Sequence, residues 1–117
     1  MKIIEEFDYI NNLFLIYGNL LASKQKEIIE QYYVYNLSLS EISDNLSISR
    51  SAVNDSLNHA KENLLKYENE LKIYEKQCKI KDIISSNEDD IKKIKEEILE
   101  VIKDGIWGFT REVFKNS

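Results

Sequence analysis

The 117-residue chain contains no proline, and its only glycines are Gly18, Gly105 and Gly108. The two residues that interrupt helices most strongly are therefore missing from residues 19–104. Long helices are what such a chain builds most readily. Its length suits one domain, 1–117. A hydrophobic fraction of 43% with 32% charged residues is that of a globular chain, since a disordered one would carry too little apolar surface.

Hydrophobic spacing marks out five helices. In the first, about 3–18, Phe7, Ile10, Phe14, Tyr17 and Leu21 recur at three and four residues and form one apolar stripe, with Gly18 and Asn19 as end signals. The second, about 24–36, has Ser23 as expected N-cap, Ile28, Ile29, Tyr32 and Tyr33 as core face, and Asn36 as a left-handed stop. The third, about 39–46, opens on Ser38-Leu39-Ser40-Glu41, the pattern of a capping box. The fourth starts at Arg50 behind Ser49 and is expected to run to about 84. Leu57, Leu64, Leu71 and Cys78 are spaced by seven in it, with Ala60, Tyr67 and Tyr74 three residues after the first three. A fifth helix, about 88–103, is expected behind a Ser85-Ser86-Asn87 turn, capped by Ser86 with Glu88 and Asp89 in its first turn. Its stripe is Ile91, Ile94, Ile98 and Val101, and Gly105 ends it. Helices four and five should pack as an antiparallel hairpin over 57–104. That hairpin needs a third surface, either helix one folded back on it or a second chain, and a homodimer is the expected answer. Residues 105–117 form a tail carrying Trp107, Phe109 and Phe114.

The stretch 38–57, SLSEISDNLSISRSAVNDSL, carries the functional signal. Ile42 and Leu46 form the inner face of a short helix, Ile48 plugs a tight turn, and Val53 and Leu57 form the inner face of a second helix. With helix two as support this is a helix-turn-helix unit within residues 1–66. Ser47 stands where the turn often uses glycine, at a cost of about 1 kcal/mol if the backbone there is left-handed. On the second helix Arg50, Ser51, Asn54, Asp55 and Asn58 point outward. Arg50, Ser51, Asn54 and Asn58 are the candidate DNA-contacting residues: Arg50 for a phosphate or guanine edge, Asn54 for adenine. Against this, Asp55 and Glu62 offset Arg50 and Lys61, and the net charge is −5, the wrong sign for strong nonspecific DNA binding.

Other chemistry finds little footing. His59 is the only histidine and Cys78 the only cysteine, so neither a metal site, a disulfide nor an activated thiol is expected. Glu5-Glu6, Asp89-Asp90 and Glu96-Glu97 read as solvated helix surface, and no glycine-rich phosphate loop occurs. No enzyme activity and no cofactor are expected. No apolar run approaches the roughly 20 residues that span a bilayer, and MKIIEEFDYI carries acids where a signal peptide needs bases. A cytoplasmic location without membrane partners is expected.

The segments Ser23–Tyr33, Leu39–Ile42 and Ser49–Asp55, followed by Leu64–Leu71 and Tyr74-Glu75-Lys76, resemble the YlxM family over about residues 9–80. These are small bacterial proteins whose helix-turn-helix is similar to region four of sigma factors. The resemblance implies an all-α fold: a sigma region four-like three-helix unit, then a long helix and an antiparallel C-terminal helix. Family members are typically encoded beside the genes for the signal recognition particle protein. The resemblance thus implies a regulatory or accessory role in that pathway, with DNA, the particle protein or its RNA as candidate partners. A DNA-binding transcriptional regulator unrelated to the particle, and a structural dimer with a vestigial motif, are the alternatives.

Overall fold

A computed structural model of the chain describes residues 2–86 and 90–103. Every described element is helical: α1 (Lys2–Tyr17), a 3-10 turn (Gly18–Leu20), α2 (Ser23–Ile29), a π turn (Glu30–Val34), α3 (Leu39–Leu46), α4 (Arg50–Leu71), α5 (Ile73–Ser86) and α6 (Ile91–Lys103). The protein is all-α, and no strand occurs among the described residues. Contacts divide the chain into two compact units, Met1–Glu70 and Leu71–Ser117.

The first unit closes around one core. Leu13, Ile28, Ile29, Ile42, Val53, Ala60 and Leu64 expose nothing, and they come from all four of its helices. The α1 stripe is buried at Ile10, Phe14, Tyr17 and Leu21, while Phe7 is half-buried. Gly18 is required by contact: a Cβ there would stand 2.9 Å from Cε1 of the Phe14 ring.

Two local details differ from expectation around α2. Ser23 is the first helical residue, and Ala22 occupies the N-cap without a side-chain bond. The entry is held by packing, through Leu21 seated in the core, and by the Lys26 amide donating to the Ala22 carbonyl at 2.9 Å. The helix then loosens into the π turn, where the Tyr35 amide reaches the Glu30 carbonyl at 3.0 Å. Tyr33 is buried in this turn, 4.6 Å from the Phe7 ring and 4.9 Å from that of Tyr32. Burial pushes the Tyr33 hydroxyl up to about 12, with Tyr32 and Glu6 adding to the effect. Asn36 stops the segment in the left-handed region, φ 59°, as its residue type suggested.

The fourth helix does not run to residue 84. Lys72 turns left-handed, φ 56°, and separates α4 from α5. The seven-residue seam departs from its pattern just before that break. Leu57, Ala60 and Leu64 are buried in the first unit, but at the next turn the buried residue is Glu68, not Tyr67. The Tyr17 hydroxyl donates to Glu68 Oε1 at 2.7 Å, and the Tyr67 hydroxyl donates to the Leu20 carbonyl at 3.3 Å, with its ring 6.0 Å from Tyr17. The first part of the seam is thus filled by this chain's own first helix.

In the second unit α5 packs on α6, so the expected hairpin forms one helix later than its periodicity indicated. Ile73, Lys76, Gln77 and Ile80 of α5 face Val101 and Ile102 at the end of α6, which makes the pair antiparallel. Ser86 closes α5 instead of capping the last helix. Asp90 is the cap, its Oδ1 accepting from the Lys93 amide at 3.0 Å, because the shortened helix begins at Ile91. Asn87, Glu88 and Asp89, together with Gly105 and the aromatics Trp107, Phe109 and Phe114, lie outside the described residues.

Candidate nucleic-acid interface

The expected helix-turn-helix is present, and each of its joints has a local cause. The Ser38 Oγ accepts from the Glu41 amide at 3.1 Å, and Glu41 Oε1 accepts from the Ser38 amide at 3.1 Å, closing the capping box that starts α3. The Ser38 backbone bond, helped by its hydroxyl, holds the Glu41 carboxyl below its ordinary 4.5. Ile42 on the inner face exposes nothing. Ser47 ends α3 in the left-handed conformation, φ 56°, ψ 41°.

The turn is then locked by Ser43. Its hydroxyl donates to the Ile48 carbonyl at 2.6 Å, while the Ile48 amide donates to the Ser43 carbonyl at 3.2 Å. These two bonds satisfy backbone groups that the left-handed step would otherwise leave open. Ser49 starts α4 as anticipated: its Oγ accepts from the Ala52 amide at 3.0 Å, and its carbonyl accepts from the Val53 amide at 3.0 Å. Val53 and Leu57 seat the inner face of α4 in the core.

With that face fixed, the opposite one is fixed too. Arg50, Ser51, Asn54 and Asn58 are all exposed, and Arg50, Asn54 and Asn58 follow one another at four-residue spacing along one side of α4. Among the described residues none of these four side chains is tied to a neighbour. Asp55 and His59 are exposed beside them.

Two side-chain ties brace the motif that sequence reasoning did not find. Asn45 Nδ2 donates to Gln31 Oε1 at 3.2 Å, linking α3 to the π turn, and Asn63 Nδ2 donates to Gln25 Oε1 at 3.1 Å, linking α4 to α2. Their partners are 14 and 38 residues apart, beyond any local pattern.

The charge near the motif is modest. The first unit holds six Lys and Arg against eleven Asp and Glu, so it carries the whole net charge of −5. Lys61 lies 3.9 Å from Glu6, and Lys26 donates to Asn19 Oδ1 at 2.7 Å. Arg50 is therefore the principal positive charge on the outward face of the first turns of α4.

Among the described residues no group of three His, Cys, Asp or Glu side chains is placed to hold a metal ion, and no helix is long and apolar enough to cross a membrane.

Comparison with known proteins agrees with this architecture. Residues 4–104 match the family UPF0122, described as "Putative helix-turn-helix protein, YlxM / p13 like". A UPF0122 protein of Fusobacterium nucleatum is 40% identical over 99 residues, covering 84% of this chain and 96% of that one. One from Ureaplasma parvum is 42% identical over 90 residues, 75% of this chain and 91% of its own length. A third, from a Thermoanaerobacter species, is 35% identical over 105 residues, 86% of this chain and 90% of its own. With the motif's geometry and matches that span nearly the whole of these relatives, the chain belongs to the UPF0122 family of YlxM / p13-like helix-turn-helix proteins.

Proposed function

We propose that this chain is a non-enzymatic regulatory protein that contacts DNA through the outward face of α4. The observation that carries the reading is the exposed row Arg50, Ser51, Asn54 and Asn58 on a helix whose opposite side is locked into a core. A recognition helix needs that combination: rigid seating, and polar side chains free to meet base edges. In this reading Arg50 pairs a phosphate or the edge of guanine, Asn54 makes two hydrogen bonds to adenine, and Ser51 and Asn58 hold the flanking backbone. The N-terminus of α4 has no acidic residue in its first turn, so its dipole also favours a phosphate. A twofold DNA site calls for two copies of the chain, and a homodimer is part of this reading.

The acidic first unit weakens binding to arbitrary DNA and leaves specificity to the row on α4. The protein should therefore be retained on DNA from its own operon at low salt and released as salt rises. Arg50→Ala and Asn54→Ala should each weaken retention roughly 5- to 150-fold, the discrimination of about 1–3 kcal/mol expected of a good base contact. Absence of retention at low salt would sink the reading.

The resemblance to the YlxM family supports placing this regulation in the signal recognition particle pathway, in the cytoplasm. There the acidic first unit would face a basic partner such as the particle protein. Co-purification of that protein or its RNA with tagged chain is the expected result, and a clean pull-down with neither would remove the pathway from the proposal.

A further inference from the structure

Among its described residues the second unit buries no side chain. No residue of α5 or α6 is buried, and Ile84, Ile91 and Leu99 expose 48%, 69% and 44% of their surfaces. Yet each helix carries a regular seam. Positions 73, 77, 80 and 84 of α5 hold Ile, Gln, Ile and Ile; positions 91, 95, 98 and 102 of α6 hold Ile, Lys, Ile and Ile. Alternating steps of four and three are coiled-coil spacing, and a polar residue at the second place of each seam is a known means of specifying register. Between α5 and the end of α6 the seam opens into a cavity of about 270 Å³, walled almost entirely by carbon.

We infer that the open side of the α5–α6 hairpin, marked by Ile73, Ile80, Ile84, Ile91, Leu99 and Ile102, is the surface on which a second copy of this chain sits, the two hairpins forming a four-helix bundle. Three observations favour a second copy. An apolar strip running the length of a 13-residue helix, roughly 20 Å, is best matched by another of the same length and spacing, which the chain itself supplies. The charge permits it: residues 71–117 hold ten basic and ten acidic residues, whereas the first unit carries the net −5 and would repel itself.

The third observation is the charge order along α6. Lys92, Lys93 and Lys95 occupy its first half, and Glu96, Glu97 and Glu100 its second, with Lys103 at the end. Lysines in a first turn run against the helix dipole, a cost that the four-residue spacings Lys92–Glu96 and Lys93–Glu97 offset only in part. Turned antiparallel about a twofold axis, two copies of α6 set the basic half of each beside the acidic half of the other. This placement deepens the homodimer in the proposed function and does not depend on whether α4 meets DNA.

The test is the mass of the full-length chain in solution by sedimentation equilibrium, without nucleic acid. The wild type should sediment as a dimer. Ile91→Glu and Leu99→Glu, at sites exposed in the single chain, should keep its helicity by circular dichroism but raise the dissociation constant roughly a hundredfold, as burying an unpaired carboxylate at an interface does. If either glutamate lowers helicity, Ile91→Gln and Leu99→Gln take its place. A monomeric wild type overturns the inference, as does a dimer that both variants leave intact or that Leu15→Glu on α1 dissociates instead. A monomer in which Ile80→Glu red-shifts the fluorescence of Trp107 would also overturn it, making the chain's own C-terminal segment the occupant of the groove. Retention on DNA, measured separately, reports on the contact made by α4, so its loss and the loss of the dimer interface are told apart.

Discussion

The two units of this protein are written in nearly the same hydrophobic code and fold to opposite ends of the packing scale. Both have helices with apolar residues at steps of three and four. In the first unit four helices bring those faces to a common centre, and seven side chains lose all contact with water. In the second, α5 and α6 meet along one seam and, among the described residues, bury none. Periodicity specifies that a helix has an apolar face. It does not specify how many other faces will be there to cover it. A pair of helices has too little interior to exclude water, and a third and fourth change that abruptly.

The comparison can be broken by substitution. Leu64→Ala should destabilise the first unit by about 2–5 kcal/mol in a denaturant melt, since it opens a cavity where nothing is exposed. Ile98→Ala in the second unit should cost a single chain well under half as much, because that side chain is already partly solvated. Equal losses would show that the second unit has a core of comparable density.

The next effect is polar. Tyr17→Phe removes the donor 2.7 Å from Glu68 and leaves a buried carboxylate short of a partner, which should lower stability by about 1–3 kcal/mol. In the second unit the ion pair of Lys79 with Glu75 at 3.6 Å is exposed, and its removal should fall within about 0.5 kcal/mol of zero.

Smaller again is the capping box. Ser38→Ala should cost about 1 kcal/mol by thermal melting. The pH dependence follows from Glu41. Its carboxyl is held below the unfolded value, so its contribution is present above pH 4.5 and is lost as pH falls through the lowered folded value. Ser38→Ala should flatten that acid limb. Tyr33 acts at the other extreme with the opposite sign. Its folded value is raised from 10.0 to about 12, so its contribution is full below pH 10 and is lost as pH rises from there toward 12. Tyr33→Phe should remove that alkaline loss.

A last effect expected is a gain. Ser47→Gly relieves a left-handed residue in the turn and should stabilise the first unit by about 0.5–1 kcal/mol, offset in part by the entropy of the unfolded chain. Lys72→Gly tests the same conformation at the boundary of the units. A loss of stability at either position would mean that the side chain there, and not the backbone alone, is needed.

The legible parts of this protein were those whose cause lies within about four residues. The starts of α3 and α4 at Ser38 and Ser49, the left-handed Asn36 and Ser47, and the inward Ile42, Val53 and Leu57 all follow from caps, turn residues and spacing. The outward row Arg50, Ser51, Asn54 and Asn58 was legible for the same reason, since naming the inner face of a helix names its outer one. The clasp of Ser43 on Ile48 spans five residues and escaped because a mid-helix serine has no distinctive pattern.

What only the tertiary structure decided has its cause farther away. The sequence by itself determined an all-α chain with a helix-turn-helix at 38–57, because caps and periodicity are local energies summed over short windows. It did not determine that α2 would begin behind an uncapped Ala22, that Tyr33 would enter the core through a π turn, or that Glu68 would replace Tyr67 in the buried seam. Each was settled by a partner on another helix: the core around Leu21, the Phe7 ring, the hydroxyl of Tyr17. The break at Lys72 is the clearest case. The apolar steps pass through it without interruption, yet the helix stops there and a hairpin with its own seam begins. A periodic pattern fixes the angle of side chains about an axis, and only packing fixes how long that axis stays straight.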